Sequence, residues 1–219
     1  MPSADLPAQL APALLPILDM IGIGVFALSG ALAAAKRGQT FVTFVFFAVA
    51  TGVGGGTVRD LLIGAPVFWI QATWVAPLCL GLALLVWFTP MRWWFGPNGE
   101  SRALDWFDAA GLAAYSVFGA AKALAYDVDP LTAAMMGVIT GCVGGIIRDM
   151  LAHEPSILMR PELYVTASAL AAGLFVILLL AGTGFWIAAI IAAVAGFALR
   201  GLAIARGIAL PAYDRHHHL

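Results

Sequence analysis

The chain has 219 residues, 62% of them hydrophobic and 11% charged, with a formal net charge of −1 and a mean hydropathy of +0.96. A soluble globular protein carries roughly 25% charged residues, so this chain lacks the polar surface to face water on all sides and reads as an integral membrane protein. The near-zero charge gives no ground for nucleic acid as a partner, and two thiols inside apolar stretches, Cys79 and Cys142, suggest neither a disulfide framework nor a zinc site.

Residues 1–11 lack a basic leader, so the start does not resemble a cleaved signal peptide. A membrane-spanning helix needs about 20 mostly apolar residues. Seven stretches qualify: 12–34, 41–63, 67–89, 103–125, 131–152, 162–181 and 184–206. The expected fold class is therefore an all-α integral membrane protein of seven transmembrane helices. Its breaks carry loop signals such as Lys36-Arg37-Gly38, Gly64-Ala65-Pro66 and His153-Glu154-Pro155. At the end, His216, His217 and His218 read as a truncated purification tag rather than a metal site, and no metal or cofactor is expected.

The same phrase occurs twice at an offset of 89. The run from Thr51 to Asp60 (TGVGGGTVRD) returns from Thr140 to Asp149 (TGCVGGIIRD), and Asp19, Gly22, Gly30 and Pro66 pair with Asp108, Gly111, Gly119 and Pro155. The chain thus divides into a first three-helix repeat (11–90), a second (100–182) and a seventh helix (183–207). Three spans per copy invert the second copy relative to the first, a plan common to transport proteins. The seventh helix stands outside the repeat, where it completes the bundle or makes an oligomer contact. Alternating spans gather Lys36, Arg37, Arg92, Arg102, Arg148, Arg160, Arg200, Arg206 and Arg215 on one side. The positive-inside rule makes that side cytoplasmic, with the N-terminus outside and the C-terminus inside.

Candidate functional residues lie in the repeated phrases. Gly52, Gly54, Gly55 and Gly56, with Gly141, Gly144 and Gly145, fall past the middle of spans two and five. They serve close helix packing, or a kink or hinge whose local break frees carbonyls to face a cation; the kink or hinge is the preferred reading, and both functions can coexist. Asp19 with Arg59 and Asp60, and Asp108 with Arg148 and Asp149, are placed to form one ion-pair set at each mouth. Those sets lock helix ends, flank a pathway, or both. Ser29, Thr51, Ser116 and Thr140 either bond their own helix carbonyls or line a polar path. Lys122 stands where the first copy has Ala33. It either snorkels to the headgroups or faces a pore and repels cations when the path is shut; Asp127 and Asp129 are its candidate partners. The tryptophans fall mostly near span ends, as an aromatic belt would. No phosphate-binding loop, His-Glu-x-x-His element or activated nucleophile occurs, so an enzyme is not expected.

The Asp-x-x-Gly openings of spans one and four, the paired glycine-rich runs ending in Arg-Asp, and Gly119-Ala120-Ala121-Lys122-Ala123 resemble prokaryotic members of the TRIC (trimeric intracellular cation channel) family. The duplicated unit also looks like a bacterial membrane domain catalogued as a glycine transporter. The resemblance implies a homotrimer in which spans one, two, four and five of each subunit line its own pore and the glycine-rich helices are kinked. It also implies K⁺ and Na⁺ as permeant ions. Animal members have Lys-Glu-Val where this chain has Lys122-Ala123-Leu124, so the resemblance does not by itself extend to animal-type gating and lipid regulation. The expected function is a monovalent cation channel in a bacterial inner membrane, with lipids and its own copies as partners. The rivals are a secondary transporter for a small solute such as glycine, and a non-transporting membrane scaffold.

Overall fold

The structure, a computed structural model, describes residues 5–96, 102–159 and 162–211, with side chains from residue 19 onward except that of residue 102. Its eight α-helices are α1 (Asp5–Lys36), α2 (Phe41–Leu62), α3 (Phe68–Gln71), α4 (Val75–Phe88), α5 (Arg102–Ala125), α6 (Pro130–Leu151), α7 (Val165–Leu180) and α8 (Phe185–Arg206). The histidine tail lies outside the described residues.

Against the seven spans expected, the described residues form eight α-helices of unequal length. Among the described residues, four helical segments are long and apolar enough to cross a membrane: Asp19–Lys36, Phe41–Leu62, Pro130–Leu151 and Phe185–Arg206. α5 has 24 residues but carries Asp105, Asp108 and Lys122. α7 has 16 residues. The third expected span is broken into a four-residue α3 and a 14-residue α4. Pro77 explains the break. It lies in the first turn of α4, where its missing N–H costs nothing. A helix running on from Phe68 would need that N–H for the carbonyl of Thr73.

Packing repeats as the sequence does. α1 packs on α2 and α4, and α2 on α4; α5 packs likewise on α6 and α7, and α6 on α7. The copies meet along α1–α5 and α2–α6, so these four helices form the centre, while α8 lies against α5 and α7. The α2–α6 contact is antiparallel. Gly55 meets the carbonyl oxygen of Thr140, and Gly144 meets that of Thr51.

Turn geometry repeats too. Gly38 and Gly64 have φ of +61° and +67°, and their partners at the offset of 89, Asp127 and His153, have φ of 57° and 50°. The left-handed conformation costs an L-residue about 1–2 kcal/mol, with Asp better tolerated than most. His153→Gly is therefore expected to stabilise the protein by up to about 1 kcal/mol, read as a raised melting temperature in detergent. That loop also carries the carboxylate of Glu154, which pairs with Lys36 at 3.0 Å and Arg37 at 3.4 Å.

Candidate ion pathway and its two charged clusters

Each repeated Arg-Asp pair organises the end of its glycine-rich helix in the same way. In the first copy, Arg59 Nε donates to Asp60 Oδ1 at 2.8 Å, and Asp60 Oδ2 accepts from the backbone N–H of Phe68 at 3.1 Å. In the second, Arg148 Nε donates to Asp149 Oδ1 at 3.0 Å, and Asp149 Oδ2 accepts from Ile157 N–H at 2.8 Å. Each aspartate thus satisfies an otherwise orphaned N–H at the start of a short helical turn. The Asp caps also explain why the chain turns sharply after both helices.

The sets expected at the mouths do assemble. Asp19 Oδ1 lies 3.7 Å from Arg59 Nη2. Arg148 Nη1 donates to Asp108 Oδ1 at 2.5 Å. α1 reaches the Arg59 cluster at Asp19 and the Arg148 cluster at Ser29, whose hydroxyl accepts from Arg148 Nη1 at 2.7 Å. α5 reaches them in the opposite order, Asp108 first and then Lys122. Ten residues of α-helix, about 15 Å, separate Asp19 from Ser29.

Burial removes one of the two readings offered for Lys122. It is 7% exposed, so it does not snorkel. Its partner is Asp60 Oδ1 at 2.8 Å, with the Phe68 ring centroid 5.6 Å away. Asp129 is occupied elsewhere, accepting from Leu131 N–H at 3.0 Å as the N-cap of α6. Buried charges are retained only when paired and hydrogen-bonded, and the Asp60–Lys122 contact meets that requirement between the two copies.

In this conformation the glycine runs serve close packing, a role that can coexist with the expected hinge. α2 and α6 continue without interruption through residues 52–56 and 141–145, so the expected local break that would free carbonyls is absent. The reason is crowding: a Cβ on Gly55 would collide with the Thr140 carbonyl oxygen, and one on Gly144 would sit 2.9 Å from that of Thr51. Gly52 faces Ile23 and Ala27, Gly54 faces Ile147, and Gly56 faces the Phe68 ring. Gly141 faces Ser116 and Gly145 faces Tyr164. Absence of side chains lets backbones approach where no hydrophobic force drives helices together in lipid.

The hydroxyls divide between two roles. Thr140 and Ser116 bond back to the carbonyls of Met136 and Leu112, each at 2.6 Å, as helical hydroxyls commonly do. Thr51 Oγ1 is buried without a partner, while Ser29 belongs to the Arg148 cluster. Ser29, Thr51, Ser116 and Thr140 all have 0% exposure, so none touches solvent in this conformation.

Several contributors escaped the sequence reading. Ser168 shares a 2.6 Å hydrogen bond with Ser116. Tyr115 donates to the backbone carbonyl of Asp19 at 3.3 Å. Phe118 lies under the Arg59 guanidinium, 4.9 Å from carbon to ring centroid. Pairing the copies finds Phe118, since the offset of 89 sets it against Ser29. Arg200, counted among the charges on the basic side, is 2% exposed. It bonds Glu162 at 2.5 Å and stacks on Tyr164 at 5.4 Å, tying α8 to the second copy.

This geometry defines an all-helical membrane protein built on a duplicated unit. A family model described as a glycine transporter matches twice, over residues 16–90 and 105–181. A UPF0126 membrane protein of Vibrio cholerae is 43% identical over 169 residues, 74% of this chain and 67% of that one. The inner membrane protein YadS of Escherichia coli K12 is 40% identical over 155 residues, 68% of this chain and 72% of that one. Among solved structures, the TRIC trimeric intracellular cation channel orthologue from Rhodobacter sphaeroides gives a TM-score of 0.80 at 36% identity, covering 89% of this chain and 99% of that one. A prokaryotic TRIC channel in 0.5 M KCl gives 0.81 at 27% identity, covering 89% and 97%. The chain belongs to the TRIC family of membrane proteins.

Proposed function

We propose that this protein is a passive channel selective for monovalent cations, K⁺ and Na⁺. It conducts through each subunit's own helix bundle and works as a homotrimer in a bacterial inner membrane, with the N-terminus outside and the C-terminus cytoplasmic. The observation that carries this reading is the likeness to a TRIC cation channel at 36% identity over 99% of that chain. The site is consistent with it. Two inverted three-helix units bring α1, α2, α5 and α6 together, with one charged cluster toward each end of the crossing of the glycine runs. A path between those clusters passes the hydroxyls of Ser29, Thr51 and Thr140, which would replace part of an ion's hydration shell. Asp19, Asp60, Asp108 and Asp149 set the local potential toward cations. Membrane lipids are the other expected partners, and no catalytic step is assigned.

Purified protein in planar bilayers under a KCl gradient tests the proposal. Discrete current steps reversing near the K⁺ equilibrium potential are expected. Electrical silence, together with saturable glycine uptake into liposomes of the same preparation, would move the assignment to a carrier, the activity in the family model's description.

A further inference from the structure

The two charged clusters are copies of one another with two differences in wiring. In the Arg148 cluster, a single guanidinium serves both aspartates. Its Nε and Nη2 donate to Asp149 Oδ1 at 3.0 and 2.8 Å, and its Nη1 serves Asp108 Oδ1 and Ser29 Oγ. In the Arg59 cluster, the ammonium of Lys122 contacts Asp60 Oδ1 at 2.8 Å, the oxygen whose counterpart takes Nη2 in the other copy. Arg59 keeps only its Nε bond to Asp60. Its Nη1 and Nη2 are buried with no hydrogen-bond partner, and so is Asp19 Oδ1, 3.7 Å from Nη2. Phe118 stands where the other copy supplies the Ser29 hydroxyl, and it offers the guanidinium a ring face instead of an acceptor.

We propose that Lys122 is a positioning residue that holds Arg59 off Asp60 and Asp19, so that the Arg59 cluster is the weaker of the two closures and the first to open. This deepens the channel reading and rests on it, taking the present conformation, in which the pathway hydroxyls touch no solvent, as the non-conducting one. A buried guanidinium whose terminal nitrogens lack acceptors leaves desolvation uncompensated. In the Arg148 cluster one arginine contacts both aspartates through its terminal nitrogens, leaving Asp108 Oδ2 as the carboxylate oxygen without a hydrogen bond. Without Lys122, Arg59 is free to adopt the same arrangement and to close its cluster more tightly. A lysine that merely blocked the path would have the opposite effect, since its removal would favour conduction.

The test uses Lys122→Met, which keeps side-chain bulk without charge, and Lys122→Ala as a smaller alternative. In single-channel recordings the mean closed time is expected to lengthen about tenfold, as one charge-assisted hydrogen bond gained in the closed state predicts. Closed times that stay the same or shorten would overturn the proposal. A structure of either variant gives a second readout, independent of conduction. Arg59 Nη2 is expected within about 3.2 Å of a carboxylate oxygen of Asp60 or Asp19. An Nη2 still unpartnered would refute the idea even if the wild-type protein carried no current. Silence of the wild-type protein would itself count only against the channel reading.

Discussion

Replacing Arg148 by methionine is expected to destabilise the folded protein by about 3–5 kcal/mol, the cost of leaving buried charges without their partner. Asp108 and Asp149 are 1% and 4% exposed, and the same guanidinium contacts both. Methionine fills most of the volume, so the loss reports charge more than cavity. Arg59→Met is expected to cost clearly less although Arg59 is equally buried, because Lys122 still reaches Asp60 at 2.8 Å. Thermal unfolding of both variants in one detergent makes the comparison. Equal losses would mean that Lys122 does not balance Asp60. Adding Asp108→Asn to Arg148→Met is expected to recover part of the loss, since a neutral amide needs no countercharge.

The same clusters mark how far the sequence could be read. Arg-Asp pairs and glycine runs are conspicuous in an apolar chain, and an exact offset of 89 exposed the duplication directly. The assembly of Asp19 with Arg59 and of Asp108 with Arg148 followed from span ends at similar depth, a one-dimensional property. The partner of Lys122 was not legible, because it depends on which face α5 turns toward α2. Hydropathy carries no information about that rotation where alanine and glycine surround the lysine. The partners of Arg200 were hidden for a related reason. Its place near the end of α8 fixed only which side of the membrane it lies toward, whereas tertiary packing supplied Glu162 and the Tyr164 ring. The break between α3 and α4 left Pro77 as its main signal, since Gln71 and Thr73 are too few to interrupt an otherwise apolar stretch. Glycines were visible as a class, but only coordinates distinguish those facing a backbone carbonyl from those facing open space.

That last distinction yields the sharpest contrast among conservative substitutions. Gly55→Ala is expected to destabilise the protein by about 1–3 kcal/mol, the usual cost of overpacking, and to abolish normal conduction by forcing α2 and α6 apart. Its Cβ would collide with the Thr140 carbonyl oxygen, a backbone atom that no rotamer change can remove. Gly144→Ala, at 2.9 Å from the Thr51 carbonyl oxygen, makes the pseudo-symmetric contact with a little more room and is expected to show the same defect more mildly. Gly173→Ala is the opposite case. Within the chain nothing lies within 4 Å of its Cβ position inside α7, so the gain in helix propensity, about 1 kcal/mol, is expected to appear as added stability. Melting temperatures of the three variants should therefore rank Gly173→Ala above wild type, then Gly144→Ala, then Gly55→Ala. If Gly55→Ala were as stable as wild type, the runs would not be set by the close crossing of α2 and α6, and the hinge role would return as the better account of their glycines.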